Sequence, residues 1–481
     1  PVINKAFEID TATRYALSTS ANQSIVIDGS RITSTRENTF VTQQTIEEGG
    51  VNGFEYQSGA STALTPTPEE AAQSRISGLQ IAGFEKGGAI VIDGASNLLV
   101  EGLTIGLDEN DASQAVKYGI HVTGASGATG PVTLLDNDIF SASVFSDGAS
   151  PLEGAGVLID GTSQDVQVVG GSIGGTQGSN TSGVIVESSN DNTTRANSIG
   201  VNVLPAVTVT TTTNRSTITI AQADWDVIGE DLYLGQAVAG TGITSGSEII
   251  HINPATRQIV LSERMILSGQ SSITFDQGQP TRTTVSNNFF GVEMRSGHVR
   301  MTNTTVSDNV LDGVVVGTAI PDPIWARIGA GIALNTSGAV DPTVRSSSSN
   351  SIYSNGRYGI RFASGINSNT QSTSLAPPAN ITTVISVQGN YIGTDVNLTD
   401  GLQNSRADYQ WDNIDPVTGL AYGDTPPPGS GFESLVTSAN PAGENPAEDD
   451  GNGNISADLG PPSSGTPPVY DDGAVRLPPR R

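Results

Sequence analysis

Gly156-Val-Leu-Ile159 and Gly183-Val-Ile-Val186 carry one pattern: glycine, apolar, any residue, apolar. It returns as Gly119-Ile-His-Val122, Gly291-Val-Glu-Met294, Gly313-Val-Val-Val316, Gly331-Ile-Ala-Leu334 and Gly359-Ile-Arg-Phe362, with a relative at Gly88-Ala-Ile-Val-Ile-Asp93. Before most copies lies a second pattern, Asn, Asp or Gly followed by apolar residues. Examples are Gly78-Leu-Gln-Ile81, Gly102-Leu-Thr-Ile105, Asn137-Asp-Ile139, Asn197-Ser-Ile199, Asn287-Asn-Phe289 and Asn350-Ser-Ile352. Alternation over runs this short argues strand, not helix. Each unit thus reads as two short strands separated by turn residues. The units recur every ~20–40 residues, as solenoid repeats do.

Hairpin meanders would show tight two-residue turns between paired strands of similar length. Here the turns are long and irregular, while the strand pairs repeat in type. No amphipathic helical stretch of convincing length appears. Stacked coils of a parallel β-helix fit this texture: each coil leaves its backbone groups to the coils above and below. Asn390-Tyr-Ile-Gly-Thr-Asp395, Ser172-Ile-Gly-Gly175 and Asn197-Ser-Ile-Gly200 resemble the repeat signature of bacterial right-handed parallel β-helix proteins over roughly residues 76–400. That family includes secreted surface proteins, phage tailspikes and polysaccharide-degrading enzymes. The resemblance implies a fold and is not specific for one function.

The expected class is therefore all-β: a right-handed parallel β-helix solenoid with an inserted small all-β domain and a Pro-rich extended C-terminal segment. The repeat signature stops at Gly200 and resumes at Asn287. Between them, residues 206–276 have another texture, with Thr208-Val-Thr-Thr-Thr-Thr213, Thr217-Ile-Thr-Ile220, Glu248-Ile-Ile-His-Ile252 and Ser272-Ile-Thr-Phe275. Insertions in solenoids emerge on one face, so this region reads as a protruding module. The solenoid itself reads as 76–205 and 277–400, and residues 1–75 as an N-terminal β region or cap. Residues 401–481 hold 12 of the 25 prolines and 12 acidic against 4 basic residues, the composition of an extended acidic segment.

Composition removes several classes. The formal charge is −27 with no basic tract, which disfavours nucleic-acid binding. No run of ~18 apolar residues exists to span a bilayer. There is no Cys, hence no disulfide framework, thiolate metal site or thiol nucleophile. The chain opens on Pro1 without an initiator Met or a signal peptide, and reads as a processed product or a piece of something longer.

Glycosidic cleavage needs two carboxylates at a defined separation, and a lyase needs a base and an electrophile near an acidic sugar. The best candidate cluster is Glu293, Arg295, His298 and Arg300, which alternation turns to one outward side. The same spacing also fits a solvated strand face with an ion pair. Oxygen-ligand Ca²⁺ sites are conceivable at Asp136, Asp138 and Asp191, although Asn/Asp runs also serve left-handed turns. Otherwise no cofactor is expected, and the Asp-Asp with Gly-His-Gly pattern of polysaccharide hydrolases is missing.

In the glycine-headed strands the middle residue faces outward. At Leu158, Ile185, Val315 and Ala333 that residue is apolar. Stacked in register, these four would form an outer apolar stripe suited to a second subunit; a one-residue slip would turn them inward. The functional expectation is a non-enzymatic extracellular structural or adhesive protein. It would sit at a cell or virion surface, forming a homo-oligomer or filament, with a surface glycan as possible partner. The alternative is a carbohydrate-active β-helix enzyme or tailspike. A groove with three or more carboxylates or basic residues on neighbouring coils would favour the alternative.

Overall fold

In the computed structural model the described residues are 74–84, 87–108, 112–127, 130–140, 142, 154–174, 181–190, 194–276, 281–317, 324–329, 349–362 and 390–393, with the short strands Val2–Ile3, Glu8–Asp10, Ile25–Asp28, Phe54–Gln57, Val384–Val387, Glu448–Asp449 and Ile455–Ser456. They form a parallel β-helix. Each rung holds three strands, one in each of three lengthwise sheets, here A, B and C. Rung 4 shows the plan: Tyr118–Thr123 in sheet A, Val132–Leu135 in sheet B and Asp138–Ile139 in sheet C. Each pairs in parallel with its counterparts on rungs 3 and 5.

Sheet C counts nine strands, so nine rungs are described. The first starts at Val2 and the second at Phe54, so the solenoid begins well before residue 76. The two-strand unit expected from the sequence is in fact a three-strand rung. Asn197-Ser-Ile199, matched above to the second pattern, lies in sheet B. Asn287-Asn-Phe289 is a corner and not a strand.

The core follows from the alternation. Ile90, Ile120, Val157, Val184, Val292, Val314 and Ile360 stack down the inside of sheet A in exact register of pairing. Ile81, Ile105, Ile139, Ile173, Val285, Val306 and Ile352 do so in sheet C. Each such burial contributes roughly 1.5–3 kcal/mol.

The glycine heading the sheet-A motif has a packing cause. At the corner between sheets C and A, Asn288, Asn309 and Asn355 stack inside the coil. Asn288 Nδ2 donates to Asn309 Oδ1 at 3.2 Å, and Asn309 Nδ2 to Asn355 Oδ1 at 2.8 Å. A Cβ on Gly291 would lie 2.4 Å from Gly313 O and 2.8 Å from Asn309 Nδ2. At the corner between sheets B and C the chain turns through a left-handed residue, Asp136 at φ 49° and Asn303 at φ 47° among them. Asn and Asp tolerate that region better than other side chains.

The module leaves rung 6 after Ile199 and the chain re-enters sheet C at Thr283, pairing again with rung 5. It contains two three-stranded antiparallel sheets, Val207–Thr211 with Gly269–Phe275 and Val238–Gly240, and Thr217–Thr219 with Gln258–Leu261 and Ile249–Asn253. One helix, Gln222–Ile228, was not expected. Seven residues are too short to show a periodic stripe; it is held by Trp225 and Ile228, three apart and both buried.

Nor does the module stand clear of the solenoid. Residues 229–235 run across the outer face of sheet B from rung to rung. The outward column they meet runs Leu99, Thr133, Gln167, Ser198, Arg300 and Arg327, one residue per rung. Thr133 Oγ1 accepts from Leu234 N at 3.1 Å, and Gln167 Nε2 donates to Leu232 O at 2.9 Å. Leu99 joins the module's core, while Leu135 packs against it.

Candidate functional site

Among the described residues two outward surfaces carry chemistry: the outer face of sheet A, and the seam between sheet B and the module.

On sheet A, the middle positions of the glycine motif form one column: Val91, His121, Leu158, Ile185, Glu293, Val315 and Arg361. The column two residues further on runs Asp93, Thr123, Asp160 and Glu187. His121 Nε2 meets Asp160 Oδ2 at 2.9 Å across rungs 4 and 5. The Tyr118 ring lies 5.4 Å from the His121 ring, centroid to centroid. Burial alone would raise the Asp160 carboxyl, but the His121 bond and charge, with the Thr123 hydroxyl, hold it below its ordinary range. Sequence reasoning missed this pair. Aligning the glycine-motif copies would have found it, because His121 is the middle residue of one copy and Asp160 lies two past the middle of the next.

Glu293 and Arg295 sit on this face in rung 7. Arg295 bonds Glu293 Oε2 through Nε at 3.2 Å and Nη2 at 3.1 Å, and reaches Glu187 Oε2 at 3.1 Å. Ser182 Oγ donates to Glu293 Oε1. Burial would lower the Arg295 pKa; the two carboxylates outweigh it and the net shift is upward.

His298 and Arg300 are not part of this group. The strand Phe290–Met301 bends at Gly297, φ 89°, from sheet A into sheet B. The four residues expected to form one cluster are therefore divided between two faces. His298 Nδ1 lies 2.9 Å from Thr194 O. Arg300 is buried under the module, where Nη2 meets Asp231 Oδ1 at 2.7 Å and Glu230 O at 2.8 Å.

The apolar stripe is also altered. Leu158, Ile185 and Val315 do face outward in one register column, but Glu293 separates Ile185 from Val315. Their exposures are only 9%, 5% and 5% within a single chain, so they offer no open apolar face. Leu158 and Ile185 pack with Ala155 and Tyr118 instead. Ala333 lies outside the described residues.

The sheet B seam holds a network of ion pairs that joins Arg195, Arg300 and Arg327 to Asp165, Glu230 and Asp231. Arg195 Nε meets Asp165 Oδ2 at 2.7 Å, and its Nη2 donates to Gly229 O at 2.7 Å. Burial pushes the Asp165 carboxyl up despite Arg195 and Arg300. Glu230 is held low: burial opposes, but Arg300, Arg327 and Arg195 outweigh it. At the other end of the seam Asn97 Nδ2 donates to His251 Nδ1, and burial pulls that imidazole down, consistent with a neutral acceptor.

Asp136 and Asp138 lie at the sheet B–C corner. Both are raised, burial being the main cause. Asp138 Oδ1 accepts from Ser172 N at 3.2 Å, so this carboxylate ties its strand to the paired strand on the next rung. Asp191 lies outside the described residues, and among those described no three of His, Cys, Asp and Glu converge on a metal position.

Among the described residues no helix is long and apolar enough to cross a membrane. Comparison with known proteins returns no matching family model, no matching curated relative and no matching solved structure.

Proposed function

We propose that the chain is a non-enzymatic structural or adhesive protein of an extracellular surface, with the β-helix as a stiff rod. One observation carries this reading. The three carboxylates on neighbouring rungs of sheet A are each engaged, Asp160 by His121 and Glu187 and Glu293 by Arg295. Acid–base cleavage needs one proton-donating carboxyl and one free carboxylate. Asp160 is displaced downward from its ordinary range, away from a proton donor's. A strongly acidic, Cys-free, Ser- and Thr-rich surface suits an exterior location and leaves a surface glycan as the natural contact.

A second reading has its own support. Asp160, Glu187 and Glu293 stand on three successive rungs of one face with His121 and Arg295 beside them. A polysaccharide-active groove would be built on such a row. The experiment is a screen of the full chain on acidic and neutral polysaccharides for new reducing ends or unsaturated uronates. We expect none. Turnover that is lost in Glu293→Gln or Asp160→Asn would overturn the structural reading and establish the second.

A further inference from the structure

We propose that the strand Val207–Thr211 of the module is a docking edge for the same strand of a second copy of this chain. The inference rests on the structural reading above and names its partner.

The strand is the outer member of its three-stranded sheet, paired on one side only with Gly269–Phe275. Among the described residues, no backbone group of 207–211 bonds to anything beyond that central strand. The opposite edge of the sheet is closed: Val238 N donates to Ser247 O at 2.9 Å, and Ala237 bridges Glu248. Pro205, Ala206, Thr208, Thr210, Thr212 and Thr213 are all exposed around the open edge.

An unpaired edge is a template for another strand, and proteins usually guard it with a charge, an inward Lys, a proline or a bulge. Val207-Thr-Val-Thr-Thr211 has none of these, and no charged residue occurs between Arg195 and Arg215. Its register with the central strand is unbroken from Val207 to Thr211. The chain as a whole carries −27, so most of its surface repels another copy. This edge is a place where two copies can approach without that repulsion.

The geometry is also self-complementary. Antiparallel pairing about a two-fold axis normal to the sheet keeps each face on its own side. Thr208 and Thr210 then lie beside Thr208 and Thr210 of the second copy, and the Val207, Val209 and Thr211 row beside its own equivalent. The two modules would share a six-stranded sheet with one hydroxyl-rich outer face, to which Ser272 and Thr274 contribute.

The test is sedimentation of the full chain over a wide concentration range. Wild type should dimerise. Thr208→Lys with Thr210→Lys should weaken the dimer at least ~10-fold, since like charges would face each other across the pair. Ser272→Lys, on the same face but on the central strand, should not. If the lysine variant fails to melt cooperatively, Thr208→Cys with Thr210→Cys decides. Because the chain has no Cys of its own, oxidation should crosslink copies through these positions alone. Three results would overturn the proposal: a wild type that stays monomeric, a dimer untouched by the lysine pair, or cysteines that do not crosslink. A monomer whose 207–211 amides are protected only by an added extended peptide would assign the edge to another partner. Polysaccharide turnover in a chain that still dimerises would sink the structural reading and leave this edge standing.

Discussion

Arg300 on sheet B and Asp231 in the module meet at 2.7 Å, with side chains only 3% and 5% exposed. Removing one partner of a buried pair costs about 3–5 kcal/mol; here Asp231 would lose its counter-ion and keep only the two bonds from Asn202. Arg300→Met should therefore loosen the module's seat. The expected readout is faster amide exchange across 229–236, with the rungs of the solenoid still protected. Unchanged exchange there would mean that the other seam contacts, those of Leu99, Thr133, Gln167 and Arg195 among them, hold the module without this pair.

Replacing 206–276 by a short linker should keep the parallel β signal in circular dichroism and a cooperative melt, because sheet C pairs rung 5 with Thr283–Ser286 directly. It should also make the shortened chain self-associate, since Leu99 and Leu135 lose their cover. A chain that loses its β signal would show that the module is required for folding.

Asn309→Leu should destabilise the protein by about 1–3 kcal/mol, the usual penalty for leaving buried polar groups unpaired. Asn288 Nδ2 and the backbone N of Asn288 both donate to Asn309 Oδ1. Denaturant unfolding would measure the loss. The neighbouring change Gly291→Ala should also destabilise, because the added methyl would lie 2.4 Å from a backbone carbonyl that cannot move freely.

Asp312 is fully buried and accepts Arg357 Nε at 2.7 Å and Arg361 Nε at 2.6 Å. Burial would raise its carboxyl, but the two guanidiniums win and hold it below 3.8. A depressed carboxylate contributes stability above its unfolded pKa and loses it as pH falls through the folded one. Melting temperature should therefore be insensitive to this group from pH 7 to about 4, and fall below that. Asp312→Asn should melt well below wild type at pH 7, with the gap narrowing at the most acid end. A constant gap would remove Asp312 from the acid response.

The repeat was legible because glycine is forced wherever the Asn288–Asn309–Asn355 stack crowds the corner, and because the inward positions of sheet A must be apolar. The third strand of each rung, that of sheet B, was not legible: Leu98–Glu101, Val132–Leu135 and Val166–Val169 carry no heading glycine, and the module covers their outer face, so that outward apolar residues such as Leu99 and Leu135 blur the alternation. The Glu293–Arg300 cluster failed for a local reason, since alternation assumes a straight strand and Gly297 bends this one. The outward apolar residues were placed on the right side, but a sequence pattern states direction, not cover. The seam was invisible because Arg300 and Asp231, or Asn97 and His251, come together only when an inserted fold lies down across six rungs.

Rung 6 is left half-built at Ile199 and finished at Thr283, and this imposes an order on assembly. Closing that gap as flexible chain costs more than closing the short spacers left once the module is compact, by roughly 2 kcal/mol at ~0.6 kcal/mol per doubling of length. The module is dominated by nearby antiparallel pairings, which form faster than distant parallel ones. It should therefore act as a clasp that folds early and hands Thr284 to Ser172. Its own seat, however, includes Arg300 and Arg327 on rungs that follow it in the chain. Rungs 7 and 8 must be wound before the clasp can lock, so the last event in folding this rod should be the module lying down.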